Sequence, residues 1–486
     1  MTINFDYRIN VMKWCFLNYG QISYIMTKWK ISINVRVRKW GEFVELNKIQ
    51  KIISDDSDRR EKIIQAKDYY NNKSAIKESG ILPVEKDPLR NADNRISHNF
   101  HQIMVDEKAS YMFTYPVLFN VDNNKEINIK VGEVLGDDFE SVSQSLCIEA
   151  SNAGVGWMYY WINDRDKTFN YALVPTEQII PVFKKNFKRE LKELYRYYND
   201  TDDSNKNIAI FEHWTDTQVT IYVLEGSITS VGKIIESKNI KHKLKTIPFI
   251  PFFNNKNGTS DLIKYKDLID LYDRVMSGFA NDLEDIQQII YILENYGGAN
   301  LSEFTSNLRK FKAIKVNQSG SPARGDVRTL QIEIPVEARK VILDILKKQI
   351  YESGQGLQQD SENFGNASGV ALKFFYRKLE LKAGFTETEF KKGFGVLVRA
   401  ILRHLKKDDK VKITQTYTRN MISNDLENSQ IAKNSVGIIP EEIIIRNHPW
   451  VEDPDEALEL LRKEEKDNEV DPYDENNKSK GNEVDE

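Results

Sequence analysis

Apolar positions change period several times along the chain, and each change predicts a change of element. From Asn47 to Tyr70 they recur at helical intervals, with Arg59, Arg60 and Lys62 toward solvent and Ile63, Ile64 and Ala66 toward a core. An Asn-Asn-Lys-Ser turn ends that pattern. The stretch NADNRISHNFHQIMVDEKASYMF then reads as a helix capped by Asn94 or Ser97, burying Phe100, Ile103, Met104, Ala109 and Tyr111. Short β-branched and aromatic runs follow: PVLFNV, NIKVGEVL, GWMYYWIN, FNYALV, IAIFEHW and VTIYVLE, separated by Asp, Asn and Gly as half-buried antiparallel strands require. Helical spacing returns between Asp137 and Gly154 and between Thr176 and Asn199. The class predicted for this region is α+β.

From Ser260 to Asn295 the apolar residues Leu262, Tyr265, Leu268, Ile269, Tyr272, Val275, Phe279, Leu283, Ile286 and Ile290 alternate by three and four, with acids on the other face. This predicts one rod of roughly 50 Å at ~1.5 Å per residue. Gly278 is its weak point, and Gly297-Gly298 its C-terminal signal. FKAIKV and VRTLQIEIP then bracket the turn-forming NQSGSPARGD, and VEARKVILDILKKQIYES predicts a second helix. The loop GQGLQQDSENFGNASG leads into a third helix from about Val370 to Lys407, in which Gly384, Gly393 and Gly395 predict a bend. VKITQTYT reads as a strand and DPDEALELLRKEEK as a helix, and there is no internal repeat. Residues 1–40 follow neither period; a genuine arm and an upstream extension both remain open.

At 486 residues, 40% of them apolar, the chain is large enough for several structural regions. No apolar run approaches the ~20 residues that span a bilayer, and the N-terminus lacks a signal-peptide pattern, so no membrane role and a soluble, cytoplasmic chain are expected. Cys15 and Cys147 are the only cysteines, too few for a disulfide framework or a cysteine zinc site. The net charge of −4 is unevenly spread. Val451 to Glu486 holds 15 acidic and 5 basic residues, a net −10, which leaves +6 for the first 450 residues. The end of that tail has almost no apolar residues and reads as disordered.

Candidate chemistry is sparse. His98 and His101, three apart, would share a helix face, and Asp106 or Glu107 would add a carboxylate: one reading is a metal-dependent nucleic-acid site. The other is a capped, buried helix with structural polar groups. H-x-x-H is not the i, i+4 spacing of a zincin helix and no Glu follows the first His, so the second reading is favoured. GVGW and GGAN lack the context of phosphate loops, no G-x-S-x-G elbow occurs, and the acids of NDLEDIQQ and DLIDLYDR read as a solvated helix face rather than magnesium ligands. Arg309, Lys310, Lys312, Lys315, Arg324 and Arg328, with Asp326 the sole acid among them, form a basic patch that would suit phosphates or an acidic protein, or simply a solvated hairpin. The segment from Gly354 to Gly369 has no Lys or Arg and places Gln358, Gln359, Asp360 and Glu362 in a long loop of the kind that is usually functional or disordered.

The ordered set NADNRISHNFHQIMVDEKASYMFTYP, GWMYYWIN with VPTEQIIPVF and ELYRYY, IPFIPFFNNKNGTSDLIKYKDLIDLYDRVMSGFANDLEDI, GNASGVALKFFYRKLELKA and HPWVEDPDEALELL resembles the portal proteins of tailed bacteriophages and prophages, in the branch of long-tailed phages of Gram-positive hosts. The resemblance covers about residues 60–465, while residues 1–40 fall outside it. It implies a non-enzymatic ring, usually of twelve subunits, at the capsid portal vertex of the virion, assembled in the host cytoplasm, with no cofactor, no metal and no catalytic residue. Double-stranded DNA would be packaged and ejected through it without sequence specificity.

The implied parts are an extension at 1–40, a wing at 41–255, a first stem helix at 256–296, a clip at 297–335, a second stem helix at 336–353 and a tunnel loop at 354–368. A bent helix returning to the wing at 369–423, a crown at 424–466 and an acidic tail at 467–486 complete it. The tunnel loop would present Gln358, Gln359, Asp360, Ser361, Glu362, Asn363, Phe364 and Asn366 to DNA. The basic clip would meet the large terminase subunit and then the head-tail adaptor protein, and the scaffold and major capsid protein would surround the ring. A loop without cations suits a sliding polyanion, because ion pairs with successive phosphates would trap it. A coiled-coil scaffold is the remaining rival, suggested by the long rod.

Overall fold

In a computed structural model, the structure describes residues 45–78, 92–285, 290–294, 302, 306, 326–330, 334–358, 369–421, 425–446, 448, 451 and 454–468. Helix α1 (45–55) runs into α2 (Ser57–Tyr70), then α3 (Ala75–Glu78) and α4 (Phe100–Phe113). Next come β1 (Leu118–Val121), α5 (Lys125–Leu135), α6 (Phe139–Ala153), β2 (Val155–Ile162) and β3 (Phe169–Val174). Five further strands, β4 (Ile179–Phe183), β5 (Leu191–Thr201), β6 (Asn207–Trp214), β7 (Gln218–Ser227) and β8 (Ser230–Lys241), form one antiparallel meander. Strand β9 (Phe249–Phe253) returns to pair with β2, giving the order β3-β2-β9. After it come α7 (Lys266–Asp285), β10 (Ile290–Glu294), β11 (Asp326–Leu330), α8 (Val336–Gly354) and α9 (Gly369–His404). Strand β12 (Ile413–Thr416) pairs with β1, and α10 (Asp425–Ser435), α11 (Glu441–Arg446) and α12 (Pro454–Asn468) close the described chain.

The expected α+β class holds, with four corrections. NIKVGEVL is helical: Asn124 Oδ1 accepts the Ile127 N–H at 3.1 Å, and Ile127, Val131, Val134 and Leu135 turn to the core at helical spacing. The stretch 176–199 contains β4 and β5 instead of a helix, because its two faces pack against different layers. Leu194 joins Trp157, Trp214 and Phe249 between the sheets, while Tyr195 and Tyr197 meet Ile49 of α1. Burial on both faces removes the alternation that marks a strand. The long rod is shorter than expected, since Leu262–Lys264 is a 3₁₀ turn, the helix proper ends at Asp285, and IYILE pairs as a strand with DVRTL. Finally, Ile64 and Ile103 are exposed, whereas Arg59 turns inward to bond Asp56 and the carbonyl of Ile179.

The largest core lies where α9 crosses the β3-β2-β9 sheet. Phe390, Phe394, Leu397 and Ile401 meet Phe252, Met158 and Leu146 there. Gly393 lets the helix approach closely, because a Cβ at that position would lie 2.5 Å from the Phe252 ring. At Gly154, where α6 turns into β2 with φ +83°, a side chain would strike the Gly258 carbonyl as well as strain the backbone. A second core joins α2 and α4 to the root of α7 and the end of α8 through Ala66, Tyr69, Phe100, Met104, Tyr265, Ile269 and Ile350. Helices α7 and α8 are antiparallel: Arg339 pairs with Asp282 at one end, and Gly354 abuts Tyr265 at the other.

Candidate functional site

Helix α4 brings together the groups the sequence singled out and sends them in different directions. It starts at Phe100, so His98 lies before the helix, and neither Asn94 nor Ser97 is its cap. Asn94 instead donates its backbone N–H to Asn281 Oδ1, and Ser97 Oγ donates to the Asn72 carbonyl. His98 Nδ1 lies 2.8 Å from Asp273 Oδ1, while Ser74 Oγ donates to the other oxygen at 2.5 Å. Asp273, read as part of a solvated acidic face, is thus fully buried. His101 is buried between two neutral groups: Nδ1 is 2.7 Å from the Tyr265 hydroxyl and Nε2 is 2.8 Å from Asn152 Oδ1. Burial lowers its pKa to about 4, so the ring is neutral at physiological pH. Asp106 accepts from the Tyr70 hydroxyl, and Glu107 from the Leu357 N–H. Among the described residues no three His, Cys, Asp or Glu side chains gather as metal ligands. The divergence of His98, His101, Asp106 and Glu107 removes the support for a metal-dependent nucleic-acid site.

The same helix carries a residue that pattern reading missed. Lys108 falls on the buried stripe of Met104, Val105, Ala109 and Met112, and it is completely buried. Its ammonium lies 2.8 Å from Asp261 Oδ2 and donates to Asn254 Oδ1. Lys382 of α9, also buried, reaches Asp261 Oδ2 at 3.3 Å and donates to the Gly354 carbonyl at 2.9 Å. Asn254 Nδ2 donates to Asp261 Oδ1 at 3.0 Å, and Lys264 lies 3.5 Å from the same oxygen. Burial alone would raise the Asp261 pKa, but Lys108, then Lys382 and Lys264, hold it well below the usual carboxylate range. For Lys382, burial dominates; despite Asp261, and with Lys108 and Lys264 adding repulsion, its pKa falls to about 8. A lysine on an otherwise apolar stripe was the sequence signal for this cluster.

The arrangement fixes the positions of several elements at once. Lys108 and His101 hold the root of α7, Met104 packs on Gly354 and Gly356, Glu107 takes the Leu357 N–H, and Lys382 takes the Gly354 carbonyl. The end of α8 and the first residues of the loop beyond it are therefore clamped from two helices. Gln355 leaves the helix with φ +56°. Of the expected loop residues, Gln358 is described and Gln359, Asp360, Ser361, Glu362, Asn363, Phe364 and Asn366 lie outside the described residues. Of the basic patch, the backbone of Arg328 is described, opposite Ile292 in the β10–β11 ladder. Arg309, Lys310, Lys312, Lys315 and Arg324 lie outside.

Comparison with known proteins places this architecture in context. A family model described as "Phage portal protein, SPP1 Gp6-like" matches residues 49–471, leaving residues 1–40 outside the match. The chain is 56% identical over 437 residues to the portal protein of Clostridium phage phiCD119, covering 87% of this chain and 97% of that protein. It is 33% identical over 390 residues to the portal protein of Bacillus phage SPP1, covering 76% of each. Among solved structures it is similar to a chain in the neck of an empty gene transfer agent particle, with a TM-score of 0.44, 9% identity and coverage of 75% and 90%.

Proposed function

The chain belongs to the SPP1 Gp6-like phage portal proteins, and from that premise we propose how its parts serve a ring at the capsid vertex. The ring, usually of twelve copies, conducts double-stranded DNA inward during packaging and outward during ejection. Helices α7 and α8 are its stem, and the β10–β11 ladder with the basic residues between these strands is the clip, which meets the large terminase subunit and then the head-tail adaptor protein. Residues 354–368 are the tunnel loop, with α9 beside it. The sheets before residue 255, joined by β12, are the wing that faces scaffold and major capsid protein, and α10 to α12 belong to the crown.

The observation that carries this reading is apolar surface on the stem and tunnel helices. Ala338, Val341, Ile342 and Ile345 share one side of α8, and Val341, Ile342 and Ile345 are exposed there. Phe374, Leu381, Phe385 and Val396 form a narrow exposed stripe along α9. Single exposed apolar residues are ordinary, but aligned stripes on two long helices are what neighbouring subunits cover in a closed ring. The clamp at Gly354 to Leu357 supports the loop assignment, because a loop lining a channel must leave its helix in a fixed direction. A coiled-coil scaffold has no use for two antiparallel sheets packed on α1 and α9. Electron microscopy of the purified chain tests the proposal: rings with a central hole are expected, and monomers or elongated low-order oligomers at high concentration overturn it.

A further inference from the structure

Beside the buried ion cluster lies a cavity of about 250 Å³, whose charged lining is Lys256, Asp261, Lys264 and Lys382, with Asn254, Gln355 and Phe385 among the rest. Its charge is unbalanced. Lys382 forms its inner wall and Lys264 and Lys256 its rim, with Lys108 behind Asp261. Against these four cations stand Asp261, which shares the cavity wall with them, and Glu107, whose carboxylate is near enough to Lys382 to interact with its charge. Asp261 is already shared by Lys108 at 2.8 Å, by the Asn254 amide at 3.0 Å and by Lys264 at 3.5 Å. Glu107 spends an oxygen on the Leu357 N–H. Lys382, at 3.3 Å from Asp261, is the buried ammonium with the smallest share of compensating charge, and it faces the cavity.

We infer that this cavity binds a small tetrahedral oxyanion of the phosphate class, held by Lys382 at its base and by Lys264 and Lys256 at its mouth. Asn254 and Gln355 supply neutral polar lining, and a cavity of this size admits one such ion with water. The oxyanion supplies the negative charge that the cluster lacks, and through Lys382 it adds to the hold on the Gly354 carbonyl. The same chemistry is offered by free inorganic phosphate and by a nucleic-acid phosphodiester.

Calorimetric titration of the purified full chain with inorganic phosphate, at ionic strength fixed with chloride, tests the inference. One saturable site per chain is expected, weakened at least ten-fold by Lys382→Met and several-fold by Lys264→Ala. The second variant guards against misfolding, since the Lys264 side chain is about one-third exposed. Affinity falls above about pH 8, where Lys382 loses its proton among Asp261, Glu107, Lys108 and Lys264. Dimethyl phosphate distinguishes the sources: displacement of phosphate identifies a phosphodiester site, and no displacement identifies a site for the free ion. Heats equal to the chloride control, or a folded Lys264→Ala chain with unchanged phosphate affinity, overturn the inference.

Discussion

Replacing Asp261 by Asn keeps the side-chain shape and removes the carboxylate on which two buried ammonium groups depend. Lys108 is left with neutral acceptors such as Asn254 Oδ1, and Lys382 with the Gly354 carbonyl and the more distant charge of Glu107, each ammonium away from solvent. Breaking a buried pair by removing one partner costs about 3–5 kcal/mol, and with two cations stranded the upper end of that range is expected. The opposite change, Lys108→Met, leaves Asp261 paired with Lys382 and Lys264 and removes the repulsion between the two lysines. Its main loss is the donor to Asn254 Oδ1, about 1–3 kcal/mol. Urea unfolding followed by tryptophan fluorescence should therefore rank Asp261→Asn well below Lys108→Met. The double variant Asp261→Asn/Lys382→Met should recover part of the loss, because one stranded charge is gone. Alkaline pH should also rescue Asp261→Asn. Lys382 already has a folded pKa of about 8 against 10.5 unfolded, so the unfolded state binds more protons in that window and stability rises with pH through it. If Asp261→Asn lies within about 1 kcal/mol of wild type, or Lys108→Met is the more damaging change, the cluster is not organised around this carboxylate.

Four further outcomes are expected. His101 has a folded pKa of about 4 against 6.5, so the unfolded state takes up the proton first, and about 3 kcal/mol of stability is lost as pH falls from 6.5 to 4; His101→Gln should flatten that part of a melting-temperature profile, and an unchanged slope assigns it to other groups. Gly393→Ala places a methyl group 2.5 Å from the Phe252 ring and should cost about 1–3 kcal/mol in chemical denaturation, whereas Gly384→Ala, with nothing within 4 Å, should be neutral or stabilising. Phe385→Asp, at a position 67% exposed, should leave folding within about 0.5 kcal/mol while native mass spectrometry shows fewer complete rings; unaltered assembly would remove α9 from the subunit interface. Charge reversal at Arg309, Lys310 and Lys312 should impair terminase docking with ring assembly intact, and normal packaging by that variant refutes the clip assignment.

Patterns that depend on one buried face were legible in the sequence. Strands β2, β3, β6 and β7 and helices α6, α8 and α9 lie where residue spacing and turn residues put them. What failed was decided by contacts far along the chain. β5 hides its alternation because both of its faces are covered, and IYILE continues a helical period yet pairs with DVRTL more than thirty residues later. Strands β8 and β9 were not foreseen; β8 is largely exposed, and β9 takes its place from pairing with β2. The site was legible only in outline. The sequence marked 91–113 as polar groups on an apolar helix, but the partners of those groups, Asp261, Tyr265, Asp273 and Leu357, come from segments that only the fold brings near.

The distribution of polar groups on α4 follows from what must be held. Apolar contacts such as Met104 against Gly354 fix distance but tolerate sliding, because dispersion has little directional preference. A helix that must set the heading of α7, the end of α8 and the first residues of a loop needs directional bonds. His101 to Tyr265, Lys108 to Asp261 and Glu107 to Leu357 are bonds of that kind, each crossing between elements distant in sequence, and Lys382 of α9 adds one to Gly354 at the end of the preceding helix. A buried ion cluster contributes little net stability over a packed apolar one, so its presence here is better understood as a constraint on geometry. His101, Asp106 and Glu107 are consequently spread around the helix, with His98 just ahead of it, each facing a different neighbour, whereas metal ligands would have to converge on one point.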